Sequence, residues 1–164
     1  MKKLFIFLCT LVLSLFFYIQ SASANIIIND TNYTELEIIS TTKNINNDGS
    51  YYVIRIYEEK SRGDDDLVTD FKIYEYYDSN NTMLWEFRLI AQFEVIPNVS
   101  ATCVYSNYVN FIYQSEWSFE NGESHYSGAY AYASGTFKKK VMFITTNTRN
   151  VNLSLYCDIH GNIS

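Results

Sequence analysis

The chain has 164 residues, 18 of them acidic and 12 basic, and a formal net charge of −6 at pH 7. That balance favours solubility and disfavours nucleic acid or an anionic membrane as partners, since phosphates repel a net anion. Fifteen Tyr and eleven Phe against a single Pro make a strand-forming composition.

Residues 1–24 read as a targeting segment. Lys2 and Lys3 are the basic start, residues 4–19 the apolar run, and Ala22-Ser23-Ala24 a small-residue cleavage site before Asn25. The apolar run is short for a membrane span, which needs roughly 20 residues. The expected product is secreted, with residues 25–164 as a single domain. Without Lys2 and Lys3 it holds 18 acidic and 10 basic residues, a net charge of −8. Abundant Asn and Ile fit an AT-rich bacterial genome.

Taken in order, residues 25–30 form a short apolar run, an edge strand or a loose arm. Residues 34–39 alternate, with Leu36 and Ile38 on one side. Asp48-Gly49 marks a turn, because glycine supplies positive φ at little cost. Residues 51–57 (YYVIRIY) predict a strand, and residues 58–66 (EEKSRGDDD) a charged loop. In residues 67–77 the apolar parity holds Leu67, Phe71, Ile73 and Tyr77, which leaves Tyr74 and Tyr76 outside. Residues 78–82 (DSNNT) predict a hairpin turn.

The strongest signal is residues 84–95, LWEFRLIAQFEV. Trp85, Phe87, Leu89, Ala91, Phe93 and Val95 share one parity, while Glu86, Arg88, Gln92 and Glu94 take the other. Such alternation predicts a strand with one face in the core and one in water. After Pro97-Asn98, Val99, Ala101, Cys103 and Tyr105 fall on one face. Val109, Phe111, Tyr113, Trp117 and Phe119 do likewise. Asn121-Gly122 reads as another turn. Residues 127–135 (SGAYAYASG) alternate tyrosine with alanine, and Val151, Leu153, Leu155 and Cys157 share a parity near the end. The fold class expected is all-β, an antiparallel β-sandwich of about eight to nine strands.

The order LWEFRLIAQFEV, SATC, SEW, SGAYAYASG, KKKVMFITT and LSLYCDIHGNIS resembles an uncharacterised family of small secreted proteins of Gram-positive bacteria. The resemblance covers residues 85–164. It implies a β-rich, disulfide-closed module and brings no activity or site residues.

Removing residues 1–24 removes Cys9, leaving Cys103 and Cys157 on inward parities of a secreted chain, which predicts a disulfide between them. The rival, metal binding through Cys157 and His160, supplies only half of a tetrahedral site; no metal and no cofactor is expected. Asp64-Asp65-Asp66 lacks the spacing of a calcium loop, and Arg62-Gly63-Asp64 is a three-residue match of the integrin type. Glu116, Glu120 and Glu123 near Trp117, with His125, are the residues on which an extracellular glycan hydrolase would have to be built. They read instead as solvent-facing charges beside a turn.

Tyr126, Tyr130 and Tyr132 fall on one parity and form an aromatic row able to stack on sugar rings or anchor a protein. The function expected is therefore a secreted, non-catalytic binding module, not an enzyme. Its partner would be a protein or glycan at the cell surface or in the medium, with no membrane contact after cleavage. A hydrolase and a secreted enzyme inhibitor or immunity protein are the alternatives.

Overall fold

The structure is a computed structural model and describes residues 36–59 and 67–164. Residues 1–24, the apolar run 25–30, Arg62-Gly63-Asp64 and Asp64-Asp65-Asp66 lie outside the described residues. Among the described residues there is no helix. Eight strands follow in order: β1 (Leu36–Ile45), β2 (Tyr51–Glu59), β3 (Leu67–Tyr77), β4 (Met83–Ile96), β5 (Ser100–Ile112), β6 (Trp117–Ser127), β7 (Tyr130–Val141) and β8 (Ile144–Tyr156). They form a five-stranded sheet, β1-β2-β3-β4-β5, and a three-stranded sheet, β6-β7-β8, antiparallel throughout. The all-β, sandwich-like class expected from the alternation is the one the chain adopts.

β4 organises the core. Its inward residues Trp85, Phe87, Leu89, Ala91 and Phe93 are fully buried. Each large side chain contributes roughly 1.5–3 kcal/mol of transfer free energy. The small sheet meets them through a stripe of small residues on β7, Ala131, Ala133 and Gly135, all buried. A Cβ on Gly135 would stand 2.4 Å from Phe119 Cε2 and 3.4 Å from Phe87 Cε2, so only glycine lets those rings approach so closely.

The turns follow local chemistry. Gly49 takes φ 80° between β1 and β2, where Asn46 N donates to Ser50 O at 2.8 Å. Between β3 and β4, Asp78 Oδ1 accepts from Asn80 N and Thr82 N at 2.9 and 2.8 Å, and Asn81 takes φ 65°. Asn98, at φ 62°, turns β4 into β5. The sheets are also stitched directly. Cys103 N donates to Gly128 O at 2.7 Å, and Lys72 Nζ donates to Ser154 O at 2.9 Å.

Four local expectations are corrected. β3 faces the other way: Tyr74 and Tyr76 lie opposite Phe87 and Trp85 and stack on Trp85 at 5.4 and 4.9 Å. The apolar residues Phe71 and Ile73 are on the outer face, and Asp70 and Lys72, which dilute the inward parity, hid the true facing. Asn121-Gly122 is a bulge inside β6, placed where the register shifts between Glu120 and Glu123. A second bulge, at Val104, puts Cys103 opposite Phe93 but Tyr105 opposite Gln92. Cys103 is therefore buried and Tyr105 exposed, and Phe111 lies outward beneath the Arg88 guanidinium, 4.8 Å away. Finally, Glu86 does not face open water, being only 4% exposed.

The expected disulfide is not formed in the structure, where Cys103 and Cys157 are buried thiols. Cys103 Sγ donates to Tyr105 O at 3.2 Å and Cys157 Sγ to Asp158 O at 3.5 Å.

Candidate functional site

The outer face of the small sheet carries a continuous aromatic row. His125 of β6 lies opposite Tyr132 of β7, and their rings stack at 4.9 Å. Tyr132 stacks on Tyr130 at 6.0 Å, and Tyr130 meets Tyr156 of β8 at 4.7 Å. The row crosses all three strands while Ala131 and Ala133, between the β7 tyrosines, point into the core. Alternation on β7 thus builds an outer ridge of stacked rings and a tight inner seam at once.

Of the three tyrosines singled out by parity, Tyr130 and Tyr132 join this row and Tyr126 does not. The connecting loop has two residues, Gly128 and Ala129, so from Glu123 to the turn an even-numbered residue of β6 pairs with an odd-numbered residue of β7. Tyr126 accordingly lies opposite Ala131, on the face turned away from Tyr130 and Tyr132. Simple parity had no way to carry across that turn. His125 and Tyr156 take its place; their signal was the register, which the two-residue loop fixes.

A second polar arrangement sits on the outer face of the large sheet. Glu75 and Glu86 lie directly opposite each other on β3 and β4, both buried. Like charges so placed repel. Two guanidiniums offset that: Arg55 Nη1 pairs with Glu75 Oε2, and Arg88 Nε with Glu86 Oε1. Tyr77 OH donates to Glu75 Oε2 at 2.8 Å and Tyr113 OH to Glu86 Oε2 at 3.5 Å. Burial, then the bond to Glu75, pushes the Tyr77 hydroxyl up to about 12. Each carboxylate is engaged by a guanidinium and a phenol, so the quartet acts as a charge-balanced pad. Sequence reading missed it, because Glu86 and Arg88 look like ordinary solvent-facing residues of an amphipathic strand.

The three glutamates near Trp117 are each engaged by a neighbour. Glu116 and Glu120 pair with Lys139 and Lys138. Glu123 Oε1 accepts from Ser134 Oγ at 3.1 Å, on the same strand face as His125. In the Cys157-x-x-His160 segment, Asp158 Oδ1 accepts from His160 N and Asn162 N, and Oδ2 from Asn162 Nδ2. These bonds, that from the Asn162 side chain first, hold the Asp158 carboxyl below its ordinary value. Asp158 thereby closes a turn. No cluster of three or more His, Cys, Asp or Glu suited to a metal occurs among the described residues. The two cysteines flank one turn: Cys103 N donates to Gly128 O, and Cys157 N to Ala129 O at 3.1 Å. Burial pushes the Cys103 thiol up, away from the reactive thiolate.

Comparison of the chain with protein-family models, with curated proteins and with solved structures finds no match.

Proposed function

We propose that the protein is a secreted, non-catalytic binding module of bacterial origin whose ligand is a glycan, held on the aromatic row of the small sheet. The observation that carries the reading is the stack running His125–Tyr132–Tyr130–Tyr156 across three strands. The stacked rings form a rigid aromatic ridge on the sheet, and its tyrosine hydroxyls remain able to bond the substituents of a sugar ring. The reading keeps the resemblance of residues 85–164 to the small secreted proteins of Gram-positive bacteria, and with it the cleaved leader at 1–24.

The same proposal includes the Cys103–Cys157 bridge, formed after export into an oxidising medium. It is supported by the burial of both residues and by their attachment to neighbouring carbonyls, those of Gly128 and Ala129. Binding is tested by a glycan array together with pelleting on insoluble cell-wall material. Retention by a defined set of glycans supports the reading; an empty array and no pelleting overturn it.

A further inference from the structure

The hairpin between β7 and β8 ends in an apolar tip that the fold does not use. Val141 pairs with Ile144, so the loop is only Met142 and Phe143, at φ 49° and 69°. A two-residue loop with both φ positive is the turn that Asn-Gly fills with least strain, and bulky side chains are rare in it. Here it holds a methionine 88% exposed and a phenylalanine 101% exposed. Val141 and Ile144, also exposed, carry the apolar surface down both strands. Residues kept in so unfavourable a conformation point to a role outside the fold.

Charge identifies the partner. From Lys138 to Arg149 the chain reads KKKVMFITTNTR, four cations and no anion in a chain of net charge −6, and Arg149 is turned inward over the Tyr76 ring, 5.2 Å away. Lys138 and Lys139 are partly neutralised by Glu120 and Glu116. Lys140, nearest the tip, is exposed and pairs with no carboxylate among the described residues. Shape points the same way. The apolar side chains radiate from a two-residue apex, so a rigid protein surface would cover one side only, whereas hydrocarbon closes around all of them.

We propose that this hairpin tip is a membrane anchor, with Met142 and Phe143 entering the acyl boundary of a bilayer and Lys140 held at the anionic headgroups. A tip of this size reaches about 5–10 Å into the interface, the depth typical of interfacial segments. Lysine stems lie along apolar surface while their ammonium groups stay in water, which suits the collar position of Lys140. The net charge of the whole chain opposes an anionic surface, and Lys140 is the cation that the tip presents to one. The aromatic row lies towards the other end of β7, ten residues from Met142 at Tyr132, or roughly 33 Å along the strand. A protein anchored by the tip holds that row away from the lipid. The inference is independent of what the row binds.

The test is co-sedimentation of the purified protein with phosphatidylcholine–phosphatidylglycerol vesicles at low ionic strength. The protein is expected to pellet with the vesicles, and Met142→Asn/Phe143→Gly to reduce the pelleted fraction at least fivefold. That variant suits the turn, so its thermal midpoint should hold or rise, which separates loss of binding from loss of fold. In a Phe143→Trp variant the added indole emission should shift to the blue on vesicle addition. Absence of pelleting, or equal pelleting of the parent protein and the double variant, overturns the proposal. So does a dimer in solution that the double variant abolishes while vesicles capture neither form.

Discussion

Trp85 and Phe137 lie face to face across the two sheets, ring centroids 3.8 Å apart and planes 6° from parallel. Trp85 comes from β4, beside the edge strand β5 of the large sheet, and Phe137 from β7, the central strand of the small one, and both are fully buried. Around them stand Tyr74 and Tyr76, stacked on the indole, and Trp117, edge-on at 5.9 Å. One ring pair thus joins the strand with the clearest alternation to the stripe of small residues that gives it room.

Truncating either ring should be costly. Trp85→Ala and Phe137→Ala are each expected to lose about 3–5 kcal/mol in urea unfolding, as large aromatic deletions in cores do. Because the rings touch, the double variant should depart from additivity by about 0.5–1.5 kcal/mol. Additive losses would show that the two rings do not form one packing unit.

Glu86 behaves differently from its neighbours of the same parity. Glu86→Gln removes the charge that balances Arg88, and hydrogen bonds to charged groups contribute about 1.5–3 kcal/mol. Arg88 remains partly hydrated, so a loss of about 1–2 kcal/mol is expected. Glu94→Gln, at an exposed site on the same strand, should stay within about 0.5 kcal/mol. Equal small effects at both positions would remove the pad from the stabilising features of the sheet.

The pad also predicts an alkaline limit. Tyr77 holds its proton more tightly in the folded chain, up to about 12 against an ordinary value of 10. The stabilisation is complete below pH 10 and is lost as pH rises from there through about 12. Urea midpoints of the parent protein should therefore fall relative to those of Tyr77→Phe over that window, and run parallel below it. Parallel profiles throughout would contradict the placement of the phenol.

Much of this architecture was legible in the residues, and the failures have physical causes. The inward set from Trp85 to Val95 alternates without interruption because β4 is flanked by strands on both sides and packed by the second sheet. Asp48-Gly49 and Asp78–Thr82 turn as their side chains dictate. The alternation of β3 points the wrong way because tyrosine suits either face, and because a fully buried Asp70 and a half-buried Lys72 occupy core-side positions. Parity failed beyond Val104 and Asn121, where bulges each insert residues that the pattern does not announce. The aromatic row is half visible in the sequence: the tyrosines of β7 follow from alternation, but its members on β6 and β8 depend on register.

The thiols provide a redox test of the proposed secretion. A bridge from Cys103 to Cys157 closes a loop of about 55 residues and should stabilise by roughly 4 kcal/mol on the loop-entropy estimate. Protein recovered from the medium, denatured without reductant, should show no titratable thiol and should lose stability on reduction. Two thiols per chain would leave the cysteines as the buried, unreactive side chains of the structure.

Binding through the aromatic row is measured most directly by titrating one retained glycan against single variants. Tyr132 sits at the centre of the row, stacked on both His125 and Tyr130. Tyr132→Ala is expected to weaken binding about tenfold, equivalent to about 1.4 kcal/mol. Tyr126→Ala, on the opposite face, should leave affinity unchanged. Equal losses at the two tyrosines, or an unchanged affinity in Tyr132→Ala, would contradict a binding site on the outer face of the small sheet.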